Sequence, residues 1–264
     1  MQVLVINLPD SKKRFNFQAE QLNRLGLDYK VIEAVSTVIL SKADKLLSQS
    51  WQRPMRKSEV ACFLSHKKAW QAVADANKAA LIIEDDALFS KNVPVLLSQL
   101  SSLTDIDLIT LEIRSRKKIV SNKHRALCCN STLLELYQDR TGAAGYVLWP
   151  DAAKKLIAKS DKGRIGLADA FISSRYELRA FQVEPAAIIQ LDQCENYGLE
   201  CGLETQSTIT PVATQHPVPL GFLSVLRFKL KRIQAQMSMG LRHLSVLHKS
   251  ERRFIKLNIS DFKR

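Results

Sequence analysis

The sequence predicts an α/β fold with a mostly parallel central sheet. Short, continuous apolar runs recur along the chain, which is typical of strands that are buried on both faces. These runs alternate with segments whose apolar residues recur at helical spacing, as in successive βαβ units. The chain has 264 residues, of which 46% are hydrophobic. That is enough for a full-sized core, which excludes a largely disordered protein.

The first 35 residues are predicted to form a βαβ unit. The runs "VLVINL" and "YKVIEAV" are expected to be two buried strands. Between them, residues 11–26 have helical periodicity, with Asp10 or Ser11 as the N-cap and Gly26 as the C-terminal stop. Residues 36–57 carry no clear period and are expected to be irregular.

A second helix is predicted to begin at Ser58 and to carry polar residues on one stripe. In "SEVACFLSHKKAWQAVADANK", spacings of three and four residues place Glu59, Cys62 and His66 on the same side of the helix. A single helical histidine is more often packed or hydrogen-bonded than catalytic. The stripe alone therefore leaves both interpretations of His66 and Glu59 open.

Strands and helices continue to alternate up to residue 190. Strands are expected in "ALIIEDDALF", "IDLITLE", "TGAAGYVLWP" and "RAFQVEPAAIIQ". Helices are expected near residues 93–103, in "AAKKLIAKS" with Asp151 as its cap, and around "LADAFISSRYEL". Residues 114–140 are expected to be an excursion of loops and short strands.

The C-terminal segment differs from the rest in charge and periodicity. The net charge is +13, and residues 221–264 contribute +9 of it through 11 basic and two acidic residues. Leucine, isoleucine and methionine recur there every three or four residues, which predicts a basic amphipathic helix. Pro211, Pro217 and Pro219 precede it. We therefore assign residues 1–215 to one globular domain and residues 216–264 to a helical tail.

The sequence is compatible with two kinds of surface on which the tail could pack. A basic amphipathic helix is typical of peripheral contact with an anionic membrane. The alternative is that it packs on its own domain or on a second subunit, giving a homo-oligomer. A nucleic-acid partner is not expected, because residues 1–220 are only mildly basic and contain no recognised RNA- or DNA-binding motif.

The cysteines and the start of the chain favour a cytoplasmic protein. Five cysteines occur without a Cys-x-x-Cys pair, which predicts neither a disulfide framework nor a zinc site. The first residues lack the basic region and cleavage site of a signal peptide, and no apolar run is long enough to span a bilayer.

Three adjacent acids, Glu84, Asp85 and Asp86, end the strand in "ALIIEDDALF". They repel one another, so they form either a solvated strand end or a site for a cation. Ligands of α/β sheets bind at the carboxyl ends of strands, and oxygen ligands suit Mg²⁺ or Mn²⁺ beside the phosphates of a nucleotide. Asp169 opens a predicted helix and is either a first-turn acid or a general base.

Several well-known motifs are absent from the sequence. No phosphate-binding GxxxxGK[ST] or GxGxxG occurs, nor do GxSxG and HExxH. Their absence weighs against nucleotide-triphosphate motors and common hydrolases. Phosphates must then be held by a metal ion and basic side chains.

Seven blocks in order resemble glycosyltransferase family 25, the enzymes of bacterial lipooligosaccharide and lipopolysaccharide synthesis, many of them β-galactosyltransferases. The blocks are "VLVINLPDSKKRF", "SEVACFLSHKKAWQAV", "ALIIEDDALF", "DIDLITLE", "GAAGYVLWPDAAKKLI", "LADAFI" and "VEPAAIIQ". The resemblance implies a GT-A type, Rossmann-like fold, a UDP-sugar donor, Mn²⁺ or Mg²⁺, and inversion at the anomeric carbon. UDP-galactose is the first expectation, with UDP-glucose or an N-acetylhexosamine donor as the alternative.

The resemblance also implies roles for individual residues. Asp86 matches the metal ligand of the family's acidic motif, with Glu84 or Asp85 facing the metal or the ribose. Asp169 matches an acidic position that implies either the general base or an acceptor ligand. Donor-binding positions are Asn7, Leu8, Arg14, Glu59, Ser65, His66, Glu84, Asp85 and Gln190. A lipooligosaccharide acceptor and attachment to the inner face of the cytoplasmic membrane follow as expectations. A non-catalytic membrane-surface module is the alternative of a different class.

Overall fold

Strands and helices alternate through the chain, as the α/β class requires. The computed structural model describes residues 1–139, 142–163, 165–201, 203 and 221–263, apart from the side chain of Lys45. Its strands are β1 (Gln2–Asn7), β2 (Tyr29–Glu33), β3 (Ala80–Glu84), β4 (Ala87–Phe89), β5 (Leu108–Thr110), β6 (Glu112–Ile113), β7 (Lys118–Ala126), β8 (Thr132–Gln138), β9 (Gly145–Leu148), β10 (Ala180–Glu184), β11 (Ile188–Gln190) and β12 (Ser250–Arg253). Its α-helices are α1 (Lys12–Arg24), α2 (Lys42–Leu47), α3 (Lys57–Ala76), α4 (Val93–Leu100), α5 (Pro150–Ser160), α6 (Ala168–Ser173) and α7 (Phe222–Val246).

The central sheet has nine strands in the order β12-β7-β8-β10-β5-β9-β3-β1-β2. Parallel pairing joins β3, β1 and β2, and also joins β5 and β10. Strand β9 runs antiparallel between β3 and β5, so the sheet is mixed. A second sheet of three strands, β4-β11-β6, lies beside it. The predicted α/β class is confirmed.

The predicted βαβ unit at the start of the chain is present. The last five residues of β1 are buried, which explains their continuous apolar run, although Asn7 ends it. Gly26 follows α1 with φ +63°, a left-handed conformation that glycine adopts without steric cost. Because β1 lies between β2 and β3 in parallel, the carboxyl ends of all three strands meet at one edge.

Helix α3 packs against the sheet and contributes large side chains to the core beneath that edge. Its Phe63 and Trp70 rings pack against Phe171 of α6 with centroids 5.0 and 5.8 Å away, and both side chains are fully buried. Burying aromatic side chains of this size contributes roughly 2 to 3 kcal/mol each. The helix is thereby fixed relative to the strand ends.

Three predicted elements differ from the structure. Residues 36–57 contain α2, which begins with a reciprocal cap in which Ser41 and Asp44 bond each other's backbone N–H groups. Residues 114–140 contain the long antiparallel pair β7 and β8 rather than short strands. Asp151 is not the N-cap of α5, because Pro150 occupies the first helical position and Trp149 is the cap.

The predicted strand in "RAFQVEPAAIIQ" is divided into β10 and β11, which belong to different sheets. Proline at 185 cannot donate a ladder hydrogen bond, so the strand ends before it. The division turns Gln190 toward the end of β3 instead of extending the central sheet.

The C-terminal residues return to the body of the protein. Strand β12 pairs with β7 at the edge of the central sheet, and Phe262 is buried. The predicted domain boundary at 215 lies outside the described residues. Among the helices that the structure describes, none is both long and apolar enough to cross a membrane.

One pair of cysteines departs from the expectation. The sulfur atoms of Cys194 and Cys201 are bonded to each other, seven residues apart in sequence. The sequence predicted no disulfide framework, and this single pair was not expected from it. The odd cysteine count and the lack of a Cys-x-x-Cys spacing carried no signal for the pair.

Candidate functional site

A cleft of about 530 Å³ opens at the carboxyl ends of β1 and β3. Its size is in the range of small-molecule sites. The sheet edge and α3 bring most of the predicted site residues together there. The cleft is lined by Leu8, Arg14, Ser65, His66, Glu84, Asp85, Asp86 and Gln190 among others.

Asp85 is held by two residues of the first βαβ unit. Arg14 Nη1 donates to its Oδ1 at 3.0 Å, and Asn7 Nδ2 donates to its Oδ2 at 2.9 Å. Burial raises the pKa of Asp85, although the charge of Arg14 opposes the rise. With both oxygens engaged, Asp85 fastens the turn between β1 and α1 to the end of β3.

Glu84 is held from two sides as well. His66 Nε2 lies 3.0 Å from its Oε1, and Gln190 Nε2 donates to its Oε2 at 3.0 Å. Burial, the largest effect, raises the pKa of Glu84, but the hydrogen bond from His66 and the nearby positive charges together outweigh it, so the pKa lies below its usual value. Glu84 is therefore an ionised carboxylate.

The tautomer of His66 follows from its neighbours. The Trp70 Nε1–H donates to the Tyr146 hydroxyl oxygen at 2.8 Å, and that hydroxyl lies 3.0 Å from His66 Nδ1. Because Glu84 is ionised, Nε2 carries the hydrogen that faces it, and in the neutral imidazole Nδ1 then accepts from the Tyr146 hydroxyl. The donors run in one direction from Trp70 to Glu84.

Asp86 is the least compensated acid of the three. Gln190 Nε2 lies 3.4 Å from its Oδ1, and no cationic side chain forms an ion pair with it in the described part of the chain. Burial and then the charges of Glu84 and Asp85 raise its pKa to about 7. A cation bound here would offset that rise by stabilising the ionised carboxylate, as expected of a metal site rather than a solvated strand end.

Cys62, His66 and Glu84 also place ligand atoms within 4.8 Å of one another. Burial raises the pKa of the Cys62 thiol well above its usual value, whereas metal ions bind the thiolate. The sequence had placed Cys62 on the same helical stripe but not in the site. Carboxylate oxygens at Asp86 and Glu84 fit Mg²⁺ or Mn²⁺ better than this mixed set does.

Arg114 is a cleft residue that sequence reasoning missed. Its Nη1 donates to Gln190 Oε1 at 2.5 Å and its Nη2 to Asp192 at 2.7 Å. Because the carbonyl of Gln190 accepts from Arg114, its amide nitrogen must face Glu84 and Asp86. Arg114 lies in the segment assigned to loops, and no local pattern linked it to Gln190.

The structure does not bring Glu59 into this cleft. Both of its carboxylate oxygens accept from Arg53, at 2.7 and 2.8 Å, and one also accepts from the Arg56 backbone N–H at 2.8 Å. The bond from the Arg56 backbone N–H caps the start of α3, and the ion pair with Arg53 holds the Glu59 carboxylate there. Ser65 is in the cleft wall, where its hydroxyl accepts from the Val35 backbone N–H at 2.8 Å and holds the chain after β2.

Asp169 lies beyond the end of the cleft, in the first turn of α6. Its Oδ1 accepts from the Ala170 backbone N–H at 2.7 Å, and burial raises its pKa. It lines a narrow cavity of about 40 Å³ together with Tyr146, the residue that also bonds His66. This volume admits a hydroxyl group or a few water molecules but not a sugar ring.

Comparisons with known proteins agree with the order of the sequence blocks. The family described as "Glycosyltransferase family 25 (LPS biosynthesis protein)" matches residues 1–172. Human procollagen galactosyltransferase 2 is 26% identical over 217 residues, covering 71% of this chain and 34% of that protein. The lipooligosaccharide biosynthesis protein lic2B of Haemophilus influenzae is 23% identical, covering 76% of this chain and 81% of that protein. The chain thus spans about a third of the length of the procollagen galactosyltransferases that it matches.

Two solved structures are also similar. A glycosyltransferase involved in glycosylation of the major capsid of PBCV-1 aligns over 77% of this chain and 93% of its own, with 10% identity and a TM-score of 0.40. A Drosophila β-1,4-galactosyltransferase 7 mutant in complex with manganese, UDP-Gal and xylobiose aligns over 78% of this chain and 76% of its own, with 9% identity and a TM-score of 0.38.

Proposed function

Because the chain belongs to glycosyltransferase family 25, we propose that it transfers a hexose from a UDP-sugar to a growing lipooligosaccharide or lipopolysaccharide core. Galactose is the proposed sugar, in line with the galactosyltransferase names of several relatives. The observation that carries the proposal is the Asp86 carboxylate beside Glu84 at the strand ends, which forms no ion pair with a cationic side chain of the described residues. That arrangement suits a cation and, through it, a diphosphate.

Asp86 with Glu84 would hold Mn²⁺ or Mg²⁺, which supplies Lewis-acid stabilisation of the charge on the departing UDP. The protein's own groups position these ligands. Gln190 donates to both carboxylates, and Arg114 fixes the direction of its amide. Arg14 and Arg114 both line the cleft, and their positive charges favour the diphosphate oxygens there.

Asp169 is proposed as the general base of an inverting, single displacement. The acceptor hydroxyl oxygen forms a bond to the anomeric carbon, the bond from that carbon to the UDP oxygen breaks, and the hydroxyl proton passes to Asp169. Burial raises the pKa of Asp169, which makes its carboxylate a stronger proton acceptor. The Ala170 backbone N–H holds one of its oxygens in place.

Helix α7 supports a peripheral location on an anionic membrane at the cytoplasmic face. One face packs on the protein through Phe228 and Val246, which are buried. The opposite face carries an exposed apolar stripe, whose members are 42 to 79% exposed: Leu223, Leu226, Leu230, Ile233, Met237, Leu241 and Leu244. Basic residues such as Arg227, Lys229 and Arg232 flank it. An apolar stripe with basic flanks suits the boundary between lipid headgroups and acyl chains.

The membrane proposal is tested by co-sedimentation with vesicles of phosphatidylcholine alone or with phosphatidylglycerol. We expect binding to the anionic vesicles that falls when Leu230 and Met237 are both changed to Gln. The changes Gln234→Ala and Ser238→Ala are the matched control, because they alter the same helix outside the stripe. Loss of a dimer instead, seen by light scattering, would assign the stripe to a second copy of the chain.

The donor proposal is tested by thermal shift with UDP-galactose, UDP-glucose and UDP-N-acetylglucosamine, each with and without Mn²⁺. A ligand that binds only the folded protein must raise its melting temperature. We expect the largest rise with UDP-galactose and Mn²⁺, and its loss in Asp86→Asn but not in Asp151→Asn, an exposed acid on α5. A larger rise with another donor changes the sugar. No rise with any UDP compound would favour a non-catalytic membrane-surface module.

A further inference from the structure

A second cleft of about 500 Å³ lies between α7, α6 and the segment around residue 51. It is separate from the cleft at the strand ends, with which it shares no lining residue. Helix α7 contributes Arg227, Lys231 and three small or polar residues to it, but none of its exposed apolar stripe. Contact between the apolar stripe and a membrane therefore does not account for the residues that line this cleft.

The lining of this cleft is strongly positive. Arg175, Arg227 and Lys231 line it, and no acidic residue does so in the described part of the chain. Lys231 Nζ is held by the backbone carbonyls of Gln49 and Ser50, at 3.1 and 2.7 Å. Three cations around one space raise the local potential and favour an anion.

Among these three cations, Arg175 has a buried N–H group without a hydrogen-bond partner in the described residues. Its guanidinium lies over the Phe171 ring at 4.9 Å and donates to Ser174 Oγ at 2.9 Å. Its buried Nε–H has no hydrogen-bond partner among the described residues, and burial holds the pKa of Arg175 below its usual value. A buried, unfilled donor on a charged group costs free energy that an anionic ligand recovers.

The cleft also has the features of a saccharide site. The Trp51 ring forms part of its wall and lies against the backbone of Gly166, where a Cβ would be only 2.5 Å from the ring. Gln52, Ser174, Gln234 and Ser238 add amide and hydroxyl groups. An indole face packs on the C–H surface of a sugar ring, while amides and hydroxyls bond its hydroxyl groups.

Arg175 joins this cleft to the proposed base. It also lines the narrow cavity that contains Asp169. The two spaces therefore adjoin at the Arg175 side chain, and a glycan seated against Trp51 would need to direct one hydroxyl group past this side chain to reach Asp169. Arg242 of α7 lines the same narrow cavity, which adds a further positive charge on this route.

We propose that the cleft formed by Trp51, Arg175, Arg227 and Lys231 is an acceptor subsite that binds an anionic sugar through its carboxylate or phosphate. The inference rests on the proposed transferase function and names the class of its acceptor: a glycan that carries a negative charge close to the hydroxyl that is glycosylated. The polar lining and the route to Asp169 favour a glycan over a lipid headgroup.

The test measures binding of glucose, glucuronic acid and glucose 6-phosphate to the full chain by saturation-transfer NMR, without donor. We expect one or both anionic sugars to bind at least about tenfold more tightly than glucose, which corresponds to one or two charge-assisted hydrogen bonds. The difference should shrink at high salt. Comparing the two anions decides between carboxylate and phosphate.

Two variants and a control locate the binding. Arg175→Gln and Arg227→Gln should each weaken the anionic sugars several-fold, while Arg232→Gln, on the same helix outside the cleft lining, should not. Arg227 is exposed, so its variant keeps the test decisive if Arg175→Gln fails to fold. Equal affinity for neutral and anionic sugars in the wild-type chain would overturn the inference.

A third probe addresses the lipid alternative. Short-chain phosphatidylglycerol, kept below its micelle concentration, should not compete with the anionic sugar. Binding of this lipid, but not of the sugars, with loss in Arg227→Gln would make the cleft a headgroup site and overturn the inference. The UDP-sugar thermal shift is independent of these measurements, so failure of the donor proposal and failure of this one remain distinct.

Discussion

Replacing Asp86 with Asn should make the metal-free protein more stable above neutral pH. Asp86 has a pKa of about 7, about three units above free aspartate, and each unit corresponds to about 1.4 kcal/mol. The full shift amounts to about 4 kcal/mol. Because Asp86 is partly exposed, solvent screening reduces this, and we expect about 2 kcal/mol.

The sign follows from linkage. A carboxyl group whose pKa is raised in the folded state binds protons more tightly there, so the folded protein loses stability as pH rises from about 4 to about 7. The neutral amide of the Asp86→Asn variant carries no such penalty and retains an oxygen that can accept from Gln190. The gain should therefore be largest near pH 8, smaller near pH 5, and absent below about pH 4.

The assay is thermal unfolding across this pH range with a chelator present. For a chain of this size, about 2 kcal/mol corresponds to a rise in Tm of roughly 4 to 8 °C. Adding Mn²⁺ should raise the Tm of the wild-type protein more at pH 8 than at pH 6, and should leave Asp86→Asn unchanged. A variant that is less stable than wild type at pH 8, or equally stabilised at pH 5 and pH 8, would refute the reasoning.

Three further substitutions test the surroundings of the acids. Gln190→Ala removes the amide that faces two carboxylates, and should weaken binding of UDP-galactose with Mn²⁺ about tenfold by calorimetry. Gly142→Ala should lower the free energy of unfolding, measured in urea, by more than about 2 kcal/mol, because φ is +108° and a Cβ would meet Glu112. Gly163→Ala is the control and should lower it by less, because the space around Gly163 is open. Tyr146→Phe should lower the free energy of unfolding by about 1 to 3 kcal/mol, since the Trp70 N–H and the His66 imidazole lose the hydroxyl group that they share.

The position of the acids was predictable because it depends on local sequence. A continuous apolar run identified β3, and the alternation of strands and helices predicted a mostly parallel sheet, so the acids were expected at its carboxyl edge, where the pairing of β3 with β1 places them. His66 reaches Glu84 for the same reason, since helix α3 precedes β3 directly. Glu59 was not placed correctly from the sequence, because its contacts are with Arg53 and the Arg56 backbone N–H at the start of α3 rather than with the cleft.

Contacts between distant segments were not predictable. Arg114 meets Gln190 across 76 residues, and β12 joins β7 after the chain has passed through α7. Neither contact is reflected in a hydrophobic or polar period of the two segments that meet. The cleft that contains Trp51 likewise depends on where α7 packs, and an amphipathic pattern gives the two faces of a helix without saying what each face meets.

The directed hydrogen bonds from Trp70 through Tyr146 and His66 to Glu84 connect the fully buried interior to the proposed donor site. An indole is fluorescent, and its emission responds to the polarity of the group that accepts its N–H. A positive charge that arrives at Glu84 makes its carboxylate a weaker acceptor for the imidazole hydrogen, and the change passes along the same bonds to the indole. Trp70 is therefore expected to report cation binding through its ultraviolet emission in a chain whose other tryptophans, Trp51 and Trp149, are replaced.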